Sequence, residues 1–276
     1  MSEHDAIERR STPNTRSTLT AELRALGVSA EADGQLGRAP LIVHSSLSRL
    51  GWVCGGPVAV CQALLDAVGP EGDLVMPAQT TEYADPARWT SPAVPPEWWP
   101  TIRAELPLFD PLITPTREMG RIAETFLRWP GTRRSTHPCV SFTAKGPRAD
   151  FILHPHPLTP SFGDASPLGR LYDLDARILL LGTEYDSCTA LHLAEARARG
   201  GPQAVRGVPA VDASGRRVWQ EYVDVAYDAD RFVWIGHDYE KRRQPPDLRK
   251  GYVGSATTRL LRLRPLIDHA TAWLEG

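Results

Sequence analysis

Leu41-Ile42-Val43-His44-Ser45-Ser46 begins a stretch that runs on through Gly55-Gly56-Pro57 to Val68-Gly69 and closes on Asp73-Leu74-Val75-Met76. The apolar run at 41–43 is a strand signal that gives way to a glycine-rich loop. Pro57 suits the first position of a helix, and the spacing of Val58, Cys61, Leu65 and Val68 carries that helix to Val68 with Gly69 as its cap. A second strand over 73–76 completes a strand, helix, strand unit. Such units pair their strands in parallel through a right-handed crossover. The expected fold class is therefore α/β.

Outward from this unit, residues 1–16 are polar and without pattern and read as a flexible leader, leaving 17–276 as a single domain. A helix is expected over 18–26, closed by Gly27. The segment 80–115 holds Pro92, Pro95, Pro96 and Trp98-Trp99, too irregular for a simple connection, and reads as a loop on the substrate side. Ile122, Phe126 and Trp129 give 118–129 an apolar face, and Pro147 opens a helical segment that ends before Pro155. Segments 208–211 and 217–225 flank Asp212-Ala213-Ser214-Gly215 as a hairpin, and Pro265 opens a last helix.

The 276 residues are 42% hydrophobic, enough for one large core, and 31 basic residues balance 33 acidic ones, so no nucleic-acid surface is signalled. The acidic start, Met1-Ser2-Glu3-His4-Asp5, is unlike a signal peptide, and no run approaches the ~20 apolar residues of a membrane span. A cytoplasmic protein is expected. Cys54, Cys61, Cys139 and Cys188 lack paired spacing and read as free thiols.

The most informative single residue is His192. It follows a buried-strand run at 177–181 and the polar loop Gly182-Thr183-Glu184-Tyr185-Asp186-Ser187-Cys188. Asp186, Ser187 and Thr189 are good helix caps, and 190–199 favours a helix that stops at Gly200-Gly201. His192 then stands in a first turn, where free amides oppose a second positive charge and favour a neutral imidazole able to take a proton. Glu195, three residues on, shares its face, which permits an imidazole–carboxylate pair, a metal pair or two solvated side chains. No third metal ligand is signalled, and the proline-flanked His154 and His156 read as loop. No metal is expected.

The loop from Ser45 to Gly56 enters a helix N-terminus, where amides, hydroxyls and Arg49 suit a phosphate group, although Gly-Gly-Pro is also ordinary turn chemistry. A hydrolase using Ser45 or Ser46 lacks the GxSxG elbow, and Cys188 beside Thr189 reads more readily as a packed residue than as a nucleophile.

Taken together, Val43-His44-Ser45-Ser46-Leu47 through Gly55-Gly56, Met119-Gly120-Arg121-Ile122-Ala123-Glu124, Arg134-Ser135-Thr136-His137-Pro138, Ser141 with Ala144-Lys145-Gly146, Ser166-Pro167 and the stretch 179–195 resemble, in order, the aminoglycoside 3-N-acetyltransferase family. The resemblance implies one α/β domain with a central mixed sheet flanked by helices, distinct from the GNAT fold. It also implies transfer of acetyl from acetyl-coenzyme A to the 3-amino group of a 2-deoxystreptamine ring. The family's active-site histidine falls on His192, and its coenzyme wall on His44, Ser45, Ser46, Leu47, Arg49, Gly51, Trp52, Val53, Gly55 and Gly56, with Ser166.

An amine attacks a thioester only with its lone pair free, so a base must take a proton, and a carboxylate on the base's other nitrogen would fix its tautomer. Glu221 and Asp224, on the expected strand 217–225, are the candidates for that carboxylate. Ser45, Ser46 or Thr189 would supply oxyanion donors. A cationic acceptor asks for acidic walls, for which Glu82, Asp85, Asp164 and Glu184 are the candidates, with Asp110 and Glu118 beside them. Segment 82–111 departs from the family's substrate loop. The alternatives are therefore another small amine as acceptor, coenzyme A binding without turnover, or hydrolysis through Ser46. The partners expected are a small-molecule amine, no nucleic acid, no membrane, and at most a second copy of the chain, as monomer or homodimer.

Overall fold

The structure, a computed structural model, describes residues 12–28, 39–243 and 246–276, together with Ile7. Of the leader expected over 1–16, residues 1–6 and 8–11 lie outside the described residues, and its end is built into the fold. Asn14 forms a parallel bridge with Val53, and Thr15 caps helix α1 (Arg16–Leu26) through a reciprocal Thr15/Thr18 capping box. That box starts the helix before the apolar pattern does, and Gly27 ends it in the left-handed conformation.

The strand, helix, strand unit forms as β1 (Leu41–Ser45), α2 (Gly56–Val68) and β2 (Leu74–Pro77), with β1 and β2 parallel. Val58 is exposed, and the buried face of α2 is Ala59, Val60, Cys61, Ala63, Leu64, Ala67 and Val68, because the helix packs on α1 as well as on the sheet. Four short segments follow: α3 (Trp99–Glu105), α4 (Gly120–Leu127), β3 (Arg133–Arg134) and β4 (Phe142–Lys145). Next come α5 (Ala149–Leu153), α6 (Pro167–Asp173) and β5 (Arg177–Leu181). After α7 (His192–Arg197) the long hairpin β6 (Gln203–Val211) and β7 (Arg217–Val225) stands apart from the main sheet. The chain ends with α8 (Phe232–Arg242), β8 (Leu248–Val253), β9 (Ala256–Arg262) and α9 (Leu263–Glu275).

The central sheet is mixed, in the order β3-β4-β2-β1-β5-β9-β8, with β2, β1 and β5 parallel and the outer pairings antiparallel. Period-two alternation splits the core into two layers. Leu41, Val43, Leu179 and Leu181 pack with α1, α2 and α4 on one side, while Ile42, Ile178 and Leu180 pack with α5 to α9 on the other. Crossover strands covered by helices on both faces are buried throughout, which is why β5 reads as an unbroken apolar run. The C-terminal ends of the parallel strands converge at Ser45, Pro77 and Leu181, the edge of an open α/β sheet where ligands bind. Among the described residues no helix is long and apolar enough to cross a membrane.

Candidate active site

His192 is the first residue of α7, as its place after β5 suggests, but what precedes it is different from the expected capped helix. Two 3-10 turns, Tyr185–Ser187 and Thr189–Leu191, lead into α7, whose N-cap is Leu191 with no side-chain bond. The amides of Ser187, Cys188 and Leu191 are served by carbonyls three residues back, so the caps expected from Asp186, Ser187 and Thr189 have no free donor there to satisfy. The helix ends at Arg197, so its dipole is short and the nearest carboxylate dominates the field at the ring.

That carboxylate is Glu195. Its Oε2 lies 2.6 Å from His192 Nδ1, and its Oε1 accepts the backbone N–H of Asp228 at 3.0 Å. The Glu195 side chain is 5% exposed and the His192 ring 15%, so the pair is shielded yet the ring still meets solvent. An ionised carboxylate only accepts, so Nδ1 carries the imidazole proton and Nε2 keeps its lone pair. Nε2 has no hydrogen-bond partner among the described residues. Three aromatic rings fix the plane of the imidazole: Phe162 stacks at 4.7 Å and 15°, Phe232 lies at 4.8 Å, and Tyr227 presents an edge at 5.3 Å.

The assignment of Glu221 and Asp224 as orienting carboxylates is corrected by this geometry. Residues 221 and 224 differ by an odd number, so a strand turns them to opposite faces. Glu221 is exposed, and the buried Asp224 accepts from the Ser161 and Val225 amides and from Thr159 Oγ1. The i,i+3 spacing of His192 and Glu195 was the signal that favoured the local pair.

His44 continues the Ile42 face of β1 and so projects to the same side of the sheet as His192. Burial, with the His192 ring adding to it, pushes His44 down to about 3, and its Nε2 has no partner among the described residues. Beyond β1, Ser46, Arg49 and Gly51 line a cleft of ≈ 560 Å³ with Gly182, Thr183 and Glu184 on one wall and Ser255 on another. Arg49 is exposed and has no carboxylate partner among the described residues, whereas Glu184 is held by the two terminal nitrogens of Arg259, at 3.0 Å each. Gly182 has φ +72°, and a Cβ there would lie 2.7 Å from Arg49 Cβ, so its lack of a side chain keeps this wall open. Gly55 and Gly56 adopt positive φ at the entry to α2. Of the expected coenzyme wall, Val53 is buried in the core, Leu47 packs against the same core, and Ser166 is fully buried as the N-cap of α6, accepting from the Leu168 amide at 3.2 Å. Ser166 is therefore corrected from ligand contact to helix cap.

The acidic residues separate by partner. Asp85 is paired with Arg103 at 2.8 Å and caps Ala87, and Asp164 with Arg197 at 2.7 Å. Glu82 lines a second cleft, of ≈ 480 Å³, with Trp89, Arg117, Glu118 and Arg206, and its Oε2 is buried with no partner among the described residues. Cys188 is fully buried and pushed up to about 12, which removes it as a nucleophile. Ser46 Oγ meets Ser48 Oγ at 3.2 Å and no histidine. Among the described residues no group of three or more His, Cys, Asp or Glu is placed to hold a metal. A larger cleft, ≈ 1370 Å³ between α1, the end of α2 and the β4–α5 turn, lies at the other end of the sheet, beside Lys145 and Gly72.

Sequence reasoning missed Phe162, Tyr227 and Phe232, since nothing local marks a ring that will pack on a distant imidazole. It also reached Arg134 and His137 only as members of one family block, with no role attached. Arg134 is buried, bonding the Ala78 and Thr114 carbonyls and Ser141 Oγ, and lies 4.9 Å from the Phe109 ring, so it ties segment 80–115 to the sheet.

The family model described as Aminoglycoside 3-N-acetyltransferase matches residues 42–275. The SPbeta prophage-derived aminoglycoside N(3')-acetyltransferase-like protein YokD of Bacillus subtilis is 41% identical over 97% of this chain and 94% of its own. Its crystal structure superposes with a TM-score of 0.89 over 96% of this chain and 95% of that one. Aminoglycoside N(3)-acetyltransferase VIII of Streptomyces fradiae is 36% identical over 100% of this chain and 97% of its own. A structure titled AAC-IIIb binary with CoASH is 30% identical, with a TM-score of 0.80 over 96% of this chain and 97% of that one. With relatives matched over nearly their whole length and a mixed sheet of the same fold, the chain belongs to the aminoglycoside 3-N-acetyltransferase family.

Proposed function

We propose that the protein is an acyltransferase that moves the acetyl group of acetyl-coenzyme A to the 3-amino group of the 2-deoxystreptamine ring of an aminoglycoside, with His192 as general base. The observation that carries this reading is the His192–Glu195 pair, with Nδ1 held at 2.6 Å and Nε2 open at the C-terminal edge of the parallel strands. The names of the relatives supply the reaction class, and the coenzyme-bound AAC-IIIb structure supports the coenzyme.

The residues fit a coenzyme A arm at the first cleft. Arg49 supplies a cation with no carboxylate partner among the described residues for phosphate, and the hydroxyls of Ser46 and Ser255 add donors, while Gly182 and Gly51 leave backbone accessible. Acetyl-coenzyme A brings an activated thioester. Nε2 of His192 takes the proton of the attacking amine as the C–N bond forms, and Glu195 stabilises the resulting imidazolium. The same proton then goes to the departing thiolate as the C–S bond breaks, which returns His192 to its neutral form. At the acceptor side, Glu82 has a buried carboxylate oxygen with no partner among the described residues, which supports it as a wall residue for a ligand ammonium. Asp85, Asp164 and Glu184, each occupied by arginine, contribute negative potential that is already compensated.

Thiol release from acetyl-coenzyme A, followed with an aminoglycoside and a panel of other primary amines, tests the reaction, with mass spectrometry of the product. The expected product is a mono-acetylated aminoglycoside, and His192→Ala should lower kcat by ~10²- to 10⁴-fold. Amine-independent thiol release with free acetate would instead support hydrolysis, acetylation confined to other amines would move the acceptor class, and full activity of His192→Ala would remove the base.

A further inference from the structure

Segment 158–162 carries one backbone turn bond, from the Gly163 amide to the Pro160 carbonyl, and is otherwise held by side chains from elsewhere. The Leu158 carbonyl accepts from His137 Nε2 at 3.4 Å, whose Nδ1 in turn accepts the Cys139 and Val140 amides at 3.1 Å each. Asp224 takes Thr159 Oγ1 at 3.3 Å and the Ser161 amide at 3.2 Å. His156 bridges the Ser161 carbonyl and Ser135 Oγ, at 2.9 Å each. The Phe162 amide donates to Tyr227 Oη at 3.2 Å. His137, His156, Ser161, Phe162 and Asp224 are all buried. The segment ends on the ring that lies nearly parallel to His192, and Tyr227 closes the loop by contacting both Phe162 and His192.

We infer that segment 158–162 is a strap that sets the plane of the His192 ring through Phe162, with Asp224 as its anchor, so that Phe162 and Asp224 are positioning residues for the base. Glu195 alone fixes one ring nitrogen and leaves the imidazole free to swing about that bond. A stacked face removes the swing, and the stack is only as rigid as the segment carrying it. Pro160 lacks an N–H and its carbonyl is taken by the Gly163 turn, so the segment has no regular backbone ladder and depends on these side chains for the Ser161 and Phe162 amides and the Leu158 and Ser161 carbonyls. Asp224 thus acts on the base, although at one remove from it.

The inference rests on His192 being the base, and its test is chosen to stand apart from turnover. The ¹⁵N signals of His192 in the ligand-free protein report which nitrogen carries the proton. The wild-type protein should show one tautomer, protonated at Nδ1. Phe162→Leu and Asp224→Asn should each mix the tautomers, lower kcat by about tenfold or more and leave the acetyl-coenzyme A KM within about threefold. Phe162→Tyr, which keeps the ring face, should retain both readouts. The double variant should lose little more than either single one, because both act through the same strap. If Asp224→Asn fails to fold, Thr159→Val and Tyr227→Phe each remove one strap bond and carry the same expectation. Folded variants with the wild-type single tautomer, or losses that simply add, overturn the strap. A wild-type protein with the ordered tautomer and no acetyl transfer would sink the proposed reaction while leaving the strap in place.

Discussion

At the residue scale the site turns on which carboxylate serves His192. Glu195 touches both the ring and the Asp228 amide, so it is oriented before any ligand arrives. Glu195→Gln keeps an oxygen acceptor but not the charge that stabilises an imidazolium, and it can turn an amide donor toward Nδ1. Steady-state kinetics should show kcat lowered by about 10²-fold or more. Glu221→Ala, at an exposed strand position, should change kcat by less than about twofold. Equal losses in the two variants would return the orienting role to β7. His192 could be read from sequence because strand, loop and helix signals converge on it. Its partner could not be chosen, since a helix neighbour and a distant strand both offered carboxylates and only the fold decides which comes within reach.

At the element scale, strands and the crossover helix were legible because burial on both faces writes continuous apolar runs, as in β5, and because Gly27 and Gly69 mark helix ends. The two 3-10 turns before α7 were not, since their i,i+3 bonds leave no pattern in residue type. Ser166 shows how a motif can be recognised and its physical role misread. Its hydroxyl caps α6 in a site closed to solvent, so Ser166→Ala should cost about 1 kcal/mol in denaturant unfolding while leaving the acetyl-coenzyme A KM unchanged. The opposite signature is expected of Gly182→Ala. A methyl group there meets Arg49 Cβ at 2.7 Å in a backbone conformation that disfavours side chains. The β5 turn and the loop carrying Arg49 must separate, so the coenzyme KM should rise several-fold, together with a stability loss of about 1–3 kcal/mol. A KM change in Ser166→Ala, or none in Gly182→Ala, would show that these two elements have been assigned the wrong walls.

At the scale of the whole molecule, the layer that carries the site is also the layer that holds buried neutral histidines. Burial, with His192 adding, pushes His44 down to about 3, and burial pushes His137 down to about 4 and His156 well below its ordinary value. His269, on α9, is shifted in the same direction by its burial. In the unfolded chain each returns to the ordinary value of 6.5, so between pH 6.5 and about 4 the unfolded state binds more protons than the native one. Stability therefore rises with pH through that window, is fully present above it, and is lost as pH falls. From pH 7 to pH 5 each fully buried neutral histidine withdraws about 2 kcal/mol. Carboxylates pulled low by their partners, Asp66 beside Arg16 and Glu240 beside Lys250 and Arg259, withdraw their stabilisation only as pH falls through their ordinary values of 3.8 and 4.5, so from pH 7 to pH 5 the histidines dominate. Urea unfolding at pH 7 and at pH 5 checks the argument. The wild-type protein should lose several kcal/mol, and His137→Gln, though less stable at pH 7, should lose about 2 kcal/mol less between the two conditions. An equal loss in the variant would mean that His137 is charged or solvated in the folded state, and the packing of the 158–162 segment against it would have to be redrawn.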